Sequence, residues 1–356
     1  MTIQRRKTKN FQIGQVGIGS EWPVSIQSMT NTDTRNIPET IAQIKRLAEL
    51  GCEIIRLAVP DAEAAEALRQ IVPKSPLPVV ADIHFDYQLA LTAIKNGVHA
   101  LRLNPGNIGA RWKVQEVVKA ARERSIPIRI GVNSGSLEKE LLQRDGQPTA
   151  EAMVESALKN IDILESMNFD LIKISLKSSQ VPLMIQAYRL IAAKVPYPLH
   201  LGVTEAGLYH AAAVKSAIGI GTLLAEGIGD TIRVSITGDP AQELKVAREI
   251  LRALGLSRKG AELISCPTCG RCQINLAALA EKIEEKLSTI TVPLKVAVMG
   301  CAVNGPGEAR EADVGIAGGK GEGLLFVKGE IKCKVPEDQL VDVLCKEIDN
   351  IISKGV

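Results

Sequence analysis

The chain has 356 residues, 46% of them hydrophobic and 23% charged, with a formal net charge of +3. So small a net charge, with aromatics at only 3%, argues against nucleic-acid binding, which draws on basic surface and stacking platforms. No apolar run approaches the ~18 residues that span a membrane, residues 1–10 lack the apolar stretch of an export signal, and the cysteines number seven; these features predict a soluble, cytoplasmic protein whose thiols serve a metal or redox role rather than disulfides.

From residue 23 to 255, short apolar runs alternate with amphipathic stretches. The pattern predicts strands at 23–29, 53–59, 78–84, 100–104, 126–133, 171–176, 198–204 and 231–236. Helix-like segments lie between them, among them 38–50, 62–71, 87–96, 112–124, 150–167 and 241–254. The apolar period switches from 2 or continuous to about 3.6 each time. Such strand–helix units imply a parallel sheet, and this number of them closes a (β/α)8 TIM barrel. The barrel is assigned to residues 1–258. Beyond 254 the pattern changes. A cysteine-rich turn at 265–272 precedes a helix at 274–287 and an apolar strand at 294–299. A Gly-rich segment at 315–323 leads to a hairpin with strands at 324–327 and 331–335, joined by Lys328-Gly329-Glu330. A last helix covers 337–352. Residues 259–356 therefore form a small α/β domain. Gly219-Ile-Gly221 lacks the third glycine and the strand–helix context of a dinucleotide fingerprint.

A barrel of this kind carries its site at the C-terminal ends of its strands. The predicted strands place there, in order, Arg56, Asp82 and His84, Arg102 and Asn104, Arg129 and Asn133, Lys173 and Lys177, His200 with Thr204 and Glu205, and Arg233 with Ser235. Cations outnumber the carboxylates Asp82 and Glu205. Charge inside buried strands is costly unless paired or solvated, so the pattern points to an anionic ligand such as a diphosphate. Arg suits bidentate phosphate contacts and Lys acts as a compact point charge. Glu205 is either a general acid–base or a salt-bridge partner that orients an Arg; the residues leave both open.

Cys266-Pro-Thr-Cys269 is a CxxC, and Cys301 lies in Gly300-Cys-Ala-Val-Asn-Gly-Pro-Gly-Glu308. Two cysteines on one turn and a third from a distant loop can close a metal site. Gly305 and Gly307 would let backbone approach it and aim N–H groups at sulfur. Thiolates suit zinc and iron–sulfur clusters alike. The fourth ligand is open: Cys272 extends a Cys-x2-Cys-x2-Cys run, or it turns away and an oxygen ligand completes the site. Cys52, Cys333 and Cys345 read as structural.

Several motifs are recognisable together: Gln27-Ser-Met-Thr-Asn-Thr-Asp33, Ala81-Asp-Ile-His84, Leu101-Arg-Leu-Asn-Pro-Gly106, Arg129-Ile-Gly-Val-Asn133, His200-Leu-Gly-Val-Thr-Glu-Ala-Gly207, Ser265-Cys-Pro-Thr-Cys-Gly-Arg271 and Asn304-Gly-Pro-Gly-Glu308. Across essentially the whole chain they resemble the bacterial 4-hydroxy-3-methylbut-2-enyl diphosphate synthases, in the compact two-domain form. The resemblance implies reductive ring opening and dehydration of 2-C-methyl-D-erythritol 2,4-cyclodiphosphate, in the non-mevalonate route to isoprenoids. It implies a [4Fe–4S] cluster held by Cys266, Cys269, Cys301 and Glu308, and electrons from reduced flavodoxin or ferredoxin. It implies a homodimer in which one subunit's cluster domain faces the partner's barrel. It places Arg56, His84, Arg102, Asn104, Arg129, Asn133, Lys177, Arg233 and Ser235 around the substrate. Glu205 matches a carboxylate that manages a proton. A carboxylate holds iron more weakly than a thiolate, so Glu308 would be the exchangeable ligand and catalytic in that sense. Cys272 is a departure from the family pattern. The alternatives are a phosphate-binding barrel lyase with a structural zinc domain, using Lys173 or Lys177 as a Schiff base, and a zinc-ribbon nucleic-acid module, which the composition disfavours.

Overall fold

Phe11-Gln-Ile-Gly-Gln-Val-Gly-Ile18 alternates apolar and small or polar residues around a glycine, the pattern of a tight hairpin. In the computed structural model, β1 (Phe11–Ile13) and β2 (Val16–Ile18) pair antiparallel, with Gly14 at φ +56° in the turn. The sequence reading above does not anticipate this hairpin. Its Ile13 and Ile18 are fully buried against Ile54, Val80 and Ala100 at the start of the barrel strands. The structure describes residues 3–257, 260–287, 290, 292–301 and 311–354, and the chain divides into two units, Met1–Ser257 and Arg258–Val356.

The first unit is the expected barrel. Its strands are buried at nearly every position, as strands covered on both faces are. They are β3 (Ser25–Met29), β4 (Ile54–Ala58), β5 (Val79–Asp82), β6 (Ala100–Arg102), β7 (Ile128–Asn133), β8 (Ile172–Lys177), β9 (His200–Leu201) and β10 (Thr231–Ile232). All pair in parallel, in the order β8-β7-β6-β5-β4-β3-β10-β9, and a parallel bridge from Ile174 to Leu199 closes the ring. β9 and β10 are much shorter than the predicted 198–204 and 231–236. At Gly202 a Cβ would lie 2.5 Å from the Arg233 carbonyl oxygen and 2.7 Å from the Lys177 amine. The glycine thus leaves room for the Arg233 carbonyl and the Lys177 amine.

Helices form the outer ring. Side chains cap several of them at the end where the strands finish: Asp61 accepts from Ala64 N–H at 2.9 Å, Asp86 from Gln88 at 2.9 Å, Thr149 from Ala152 at 3.1 Å and Asp239 from Ala241 at 3.0 Å. Their N-termini share an end with the strand C-termini, which adds a favourable field for an anion.

In the second unit β11 (Ala261–Ser265), β12 (Leu294–Met299), β13 (Val314–Gly319), β14 (Glu322–Val327) and β15 (Glu330–Pro336) form one sheet in that order. The first three are parallel and the last three antiparallel. β11 is unforeseen, and the Gly-rich segment is itself a strand. Its glycines answer to packing: a Cβ at Gly315 would fall 2.4 Å from the Ala297 carbonyl, and one at Gly318 would fall 2.6 Å from Ile274. The predicted hairpin turns at Lys328 and Gly329, both at positive φ. Leu276–Leu287 and Leu340–Ser353 supply Ile283, Leu340, Leu344 and Ile348 to a core with Val296, Val298, Val314 and Ile316. Cys333, expected to be structural, is exposed on β15. Among the described residues no helix is long and apolar enough to cross a membrane.

Candidate active site

A cavity of about 110 Å³ opens at the C-terminal ends of the barrel strands. Arg56, Arg102, Arg129, Lys177 and Arg233 line it, with Asn133, Thr204 and Ser235. Ser175, which the sequence reading missed, lines it too. Strand alternation explains the convergence, since positions two apart share a face. Lys173, Ser175 and Lys177 thus form one inward column on β8, and Arg129 sits opposite Lys173 in register.

Asp82, near the end of β5, is the carboxylate among these cations. It stands 3.8 Å from Arg56, 3.4 Å from Arg102 and 3.5 Å from His84. Burial alone would raise its carboxyl, but Arg56, His84 and Arg102 together hold it far below the ordinary range. Burial also lowers the Arg56 guanidinium to about 10, against the pull of Asp82. Arg56 further donates to the Met29 sulfur, at 2.8 Å from one nitrogen. His84 is exposed at the rim, its Nδ1 3.1 Å from Arg102. Arg102 donates to the Gly131 carbonyl at 3.3 Å. A Cβ at Gly131 would lie 2.7 Å from the Arg102 Nε, so the glycine makes room for the guanidinium.

Arg129 is fully buried and donates to Ser175 Oγ at 3.2 Å. Burial lowers it well below its ordinary value, and the neighbouring Arg56 and Arg102 lower it further. Arg233 is held by Glu243, 3.3 Å away. The sequence reading missed this buried carboxylate because it lies in the first turn of the helix Pro240–Ala253, where an acidic residue reads as ordinary dipole complement. Glu243 also accepts from Ser28 at 2.9 Å and from the Ile236 N–H at 3.2 Å.

Two expected site residues stand apart from this group. Asn104 is not among the cavity's lining residues; its side-chain oxygen accepts from the Gly131 N–H at 2.8 Å. Glu205 is exposed beyond β9 and does not pair with the cavity's cations. Its backbone is left-handed, with φ +51°, a strained conformation for a residue with a side chain. No sequence signal marks that strain. The balancing carboxylates are therefore Asp82 and Glu243 rather than Asp82 and Glu205.

In the second unit, Cys266 follows β11 and Cys301 follows β12 by two residues. Ser265 pairs with Val298, so both thiols lie at the same end of the sheet. Cys266 Sγ accepts from the Gly300 N–H at 3.2 Å. Cys269 is exposed on the intervening turn. The Cys272 thiol instead donates to the Ile274 carbonyl at 3.2 Å, and its sulfur lies where a Gly300 Cβ would meet it at 2.6 Å. Among the described residues no three His, Cys, Asp or Glu side chains are gathered as a preformed metal site; Glu308 lies outside those residues. Soft sulfur donors at one sheet end, one already receiving a backbone N–H, fit an iron–sulfur group.

Residues 8–248 match the model of the GcpE TIM-barrel domain, and residues 262–350 match that of the GcpE protein C-terminal domain. The chain is 61% identical over 350 residues to a 4-hydroxy-3-methylbut-2-en-1-yl diphosphate synthase (flavodoxin) of Geobacter sulfurreducens, covering 98% of this chain and 99% of that one. It is 60% identical to a protein of the same name from Clostridium perfringens, covering 98% and 100%. Among solved structures, the 7,8-dihydropteroate synthase of Vibrio fischeri ES114 superposes with a TM-score of 0.50 at 13% identity, covering 70% of this chain and 99% of that one. That likeness concerns the barrel fold alone.

Proposed function

The chain belongs to the GcpE family, and on that premise we propose how its residues divide the work of the reaction. It is an oxidoreductase that forms 4-hydroxy-3-methylbut-2-enyl diphosphate by reductive ring opening and dehydration of 2-C-methyl-D-erythritol 2,4-cyclodiphosphate. Written as dianion and trianion, substrate and product balance with two electrons and one proton consumed and one water released. The lyase and zinc-ribbon readings fall with that membership.

The observation that carries the assignment of the site is the convergence of Arg56, Arg102, Arg129, Lys177 and Arg233 on one barrel cavity. These cations hold the cyclic diphosphate. Asn133, Thr204 and Ser235 add neutral polar groups that orient it, and His84 covers the rim beside Arg102. Asn104 acts from behind, by fixing the Gly131 backbone against which Arg102 lies. Glu205, outside the cationic cluster, holds or delivers the proton that turns the departing hydroxyl into water. Gly131→Ala should displace Arg102 and raise the KM for the cyclodiphosphate by about tenfold, roughly 1.4 kcal/mol, with kcat little changed; steady-state kinetics read this directly.

Residues 259–356 form the cluster domain, and Cys266, Cys269, Cys301 and Glu308 hold a [4Fe–4S] group. When bound, this group supplies low-potential electrons and a Lewis-acidic iron. The engagement of Cys272 with Ile274 supports leaving it out of the ligand set. Reduced flavodoxin, or ferredoxin, is the electron donor. The protein is cytoplasmic and works as a homodimer with one subunit's cluster domain facing the partner's barrel. Leu208, Val214 and Ile218, exposed at and along the helix Tyr209–Ala225, are the kind of apolar surface that subunit contacts cover. Anaerobically purified protein should be brown, with about four irons and four sulfides per chain. A colourless protein with stoichiometric zinc would overturn the cluster assignment.

A further inference from the structure

The cations in and beneath the cavity outnumber the carboxylates within ion-pair reach. Among the described residues, Asp82 serves Arg56 and Arg102, and Glu243 serves Arg233. Arg129, Lys173 and Lys177 have none, and they are neighbours. Lys173 is 2% exposed, and its amine has no hydrogen-bond partner, nor have the ring nitrogens of His200 or the side-chain amide of Gln27. Facing Lys173 are Arg129 from β7, His200 from β9, Gln27 from β3, and Asp230, which is held by Arg5 at 2.7 Å. Facing Lys177 are Arg233, Arg129, Arg56, His200 and the already engaged Glu243.

A guanidinium does not surrender its proton inside a protein, whereas a buried ammonium does so readily. Relief of the crowding therefore falls on the two lysines. We propose that Lys173 and Lys177 are uncharged in the empty barrel and take up protons as the cyclic diphosphate dianion enters, so that binding itself draws protons into the site. The inference rests on the reading of the cavity given above and deepens it: the barrel admits the anion together with protons that balance its charge. Burial, then Arg129, lower Lys173 to about 7. Burial, then Arg233, Arg129 and Arg56, carry Lys177 well below its usual range. A dianion above them reverses the balance of charge and raises both. His200 stays neutral under the same pressures of burial and surrounding cations.

The cyclodiphosphate is a clean probe, because each of its phosphoryl groups keeps a single, strongly acidic oxygen and does not titrate near neutrality. Anaerobic calorimetry of the full-length holoenzyme without reductant, at about pH 8, should give a more endothermic binding heat in Tris than in Hepes, the difference being the number of protons taken up times the difference between the two buffers' ionisation heats. Each proton taken up makes Kd rise by up to about tenfold per pH unit, so wild-type Kd should climb above pH 8 and the Lys173→Met Kd should climb less. Lys173 touches no substrate, so Lys173→Met should still bind, with measurably smaller uptake; Lys173→Gln serves if the methionine variant folds poorly. Melting curves read the empty state. A lysine whose folded pKa lies below its unfolded value of ~10.4 costs stability at and below the folded pKa, and that cost fades as pH rises to the unfolded one. Lys173→Met should therefore raise Tm more at about pH 7 than at about pH 10. Equal heats in the two buffers, an unchanged uptake in the variant, or a Tm gain independent of pH would each overturn the proposal. No binding at all would remove the cavity reading and this inference with it.

Discussion

Arg129→Met should lower kcat/KM for the cyclodiphosphate by about 10²–10³-fold and, at the same time, raise the melting temperature. Arg129 reaches the cavity from the barrel interior, fully buried, with Ser175 as its side-chain hydrogen-bond partner and no carboxylate within ion-pair distance among the described residues. Removing a desolvated charge from an anion contact costs about 2–5 kcal/mol, which sets the loss. The free protein gains, because a buried cation without a counter-charge gives way to an apolar side chain of similar length. Replacements of buried charges by such groups are neutral or stabilising by about 1–4 kcal/mol. A barrel of this size gains roughly 2–4 °C per kcal/mol. Kinetics and a melting curve on one preparation test both halves. A loss of less than about tenfold would place the diphosphate elsewhere.

Asp82→Asn should act in the opposite sense on stability. Asp82 faces Arg56, Arg102 and His84 at once. The amide removes the charge and leaves two guanidinium groups facing each other in a buried site. Breaking a buried pair by deleting one partner costs about 3–5 kcal/mol, or roughly 10 °C in Tm. The carboxyl is held far below its unfolded value of ~3.9. Its contribution is therefore complete above that value and fades only in strong acid, so the loss should be visible across the neutral range. Added cyclodiphosphate should recover more stability in the variant than in wild type, because the ligand restores the missing negative charge. Thermal melts with and without ligand measure this, and equal shifts in both proteins would refute it.

The barrel was readable because continuous apolar strands alternating with amphipathic helices admit few other packings. The same reading overran at 198–204 and 231–236, where the ladder covers only His200–Leu201 and Thr231–Ile232. It missed the Phe11–Ile18 hairpin, although the alternation around Gly14 was present to be read. It read 315–323 only as a Gly-rich segment ahead of the hairpin. Here the glycines are what let Phe326, Ile274 and the neighbouring backbone close in. In the site, the cations and Asp82 followed from their places on strands. Glu243 did not, since nothing in a helix's first turn tells which way a carboxylate turns. Nor did the left-handed backbone of Glu205, which is a property of the loop and not of the residue type. Asn104 reads as a ligand contact from its motif, while the structure turns its oxygen to a neighbouring strand's backbone.

The closure of the ring between β8 and β9 rests on the bridge from Ile174 to Leu199, and β9 itself spans two residues. Every other neighbouring pair of barrel strands is laced by two to six residue pairs. Thermal breathing of the wall will concentrate where the lacing is thinnest. That seam runs between the strand bearing Lys177 and the segment leading to Glu205, so amide exchange should mark it as the most yielding stretch of the barrel wall. The enzyme thus has a compliant panel beside its reaction chamber, while the strands from β4 to β8, each laddered to the next, carry Arg56, Arg102 and Arg129.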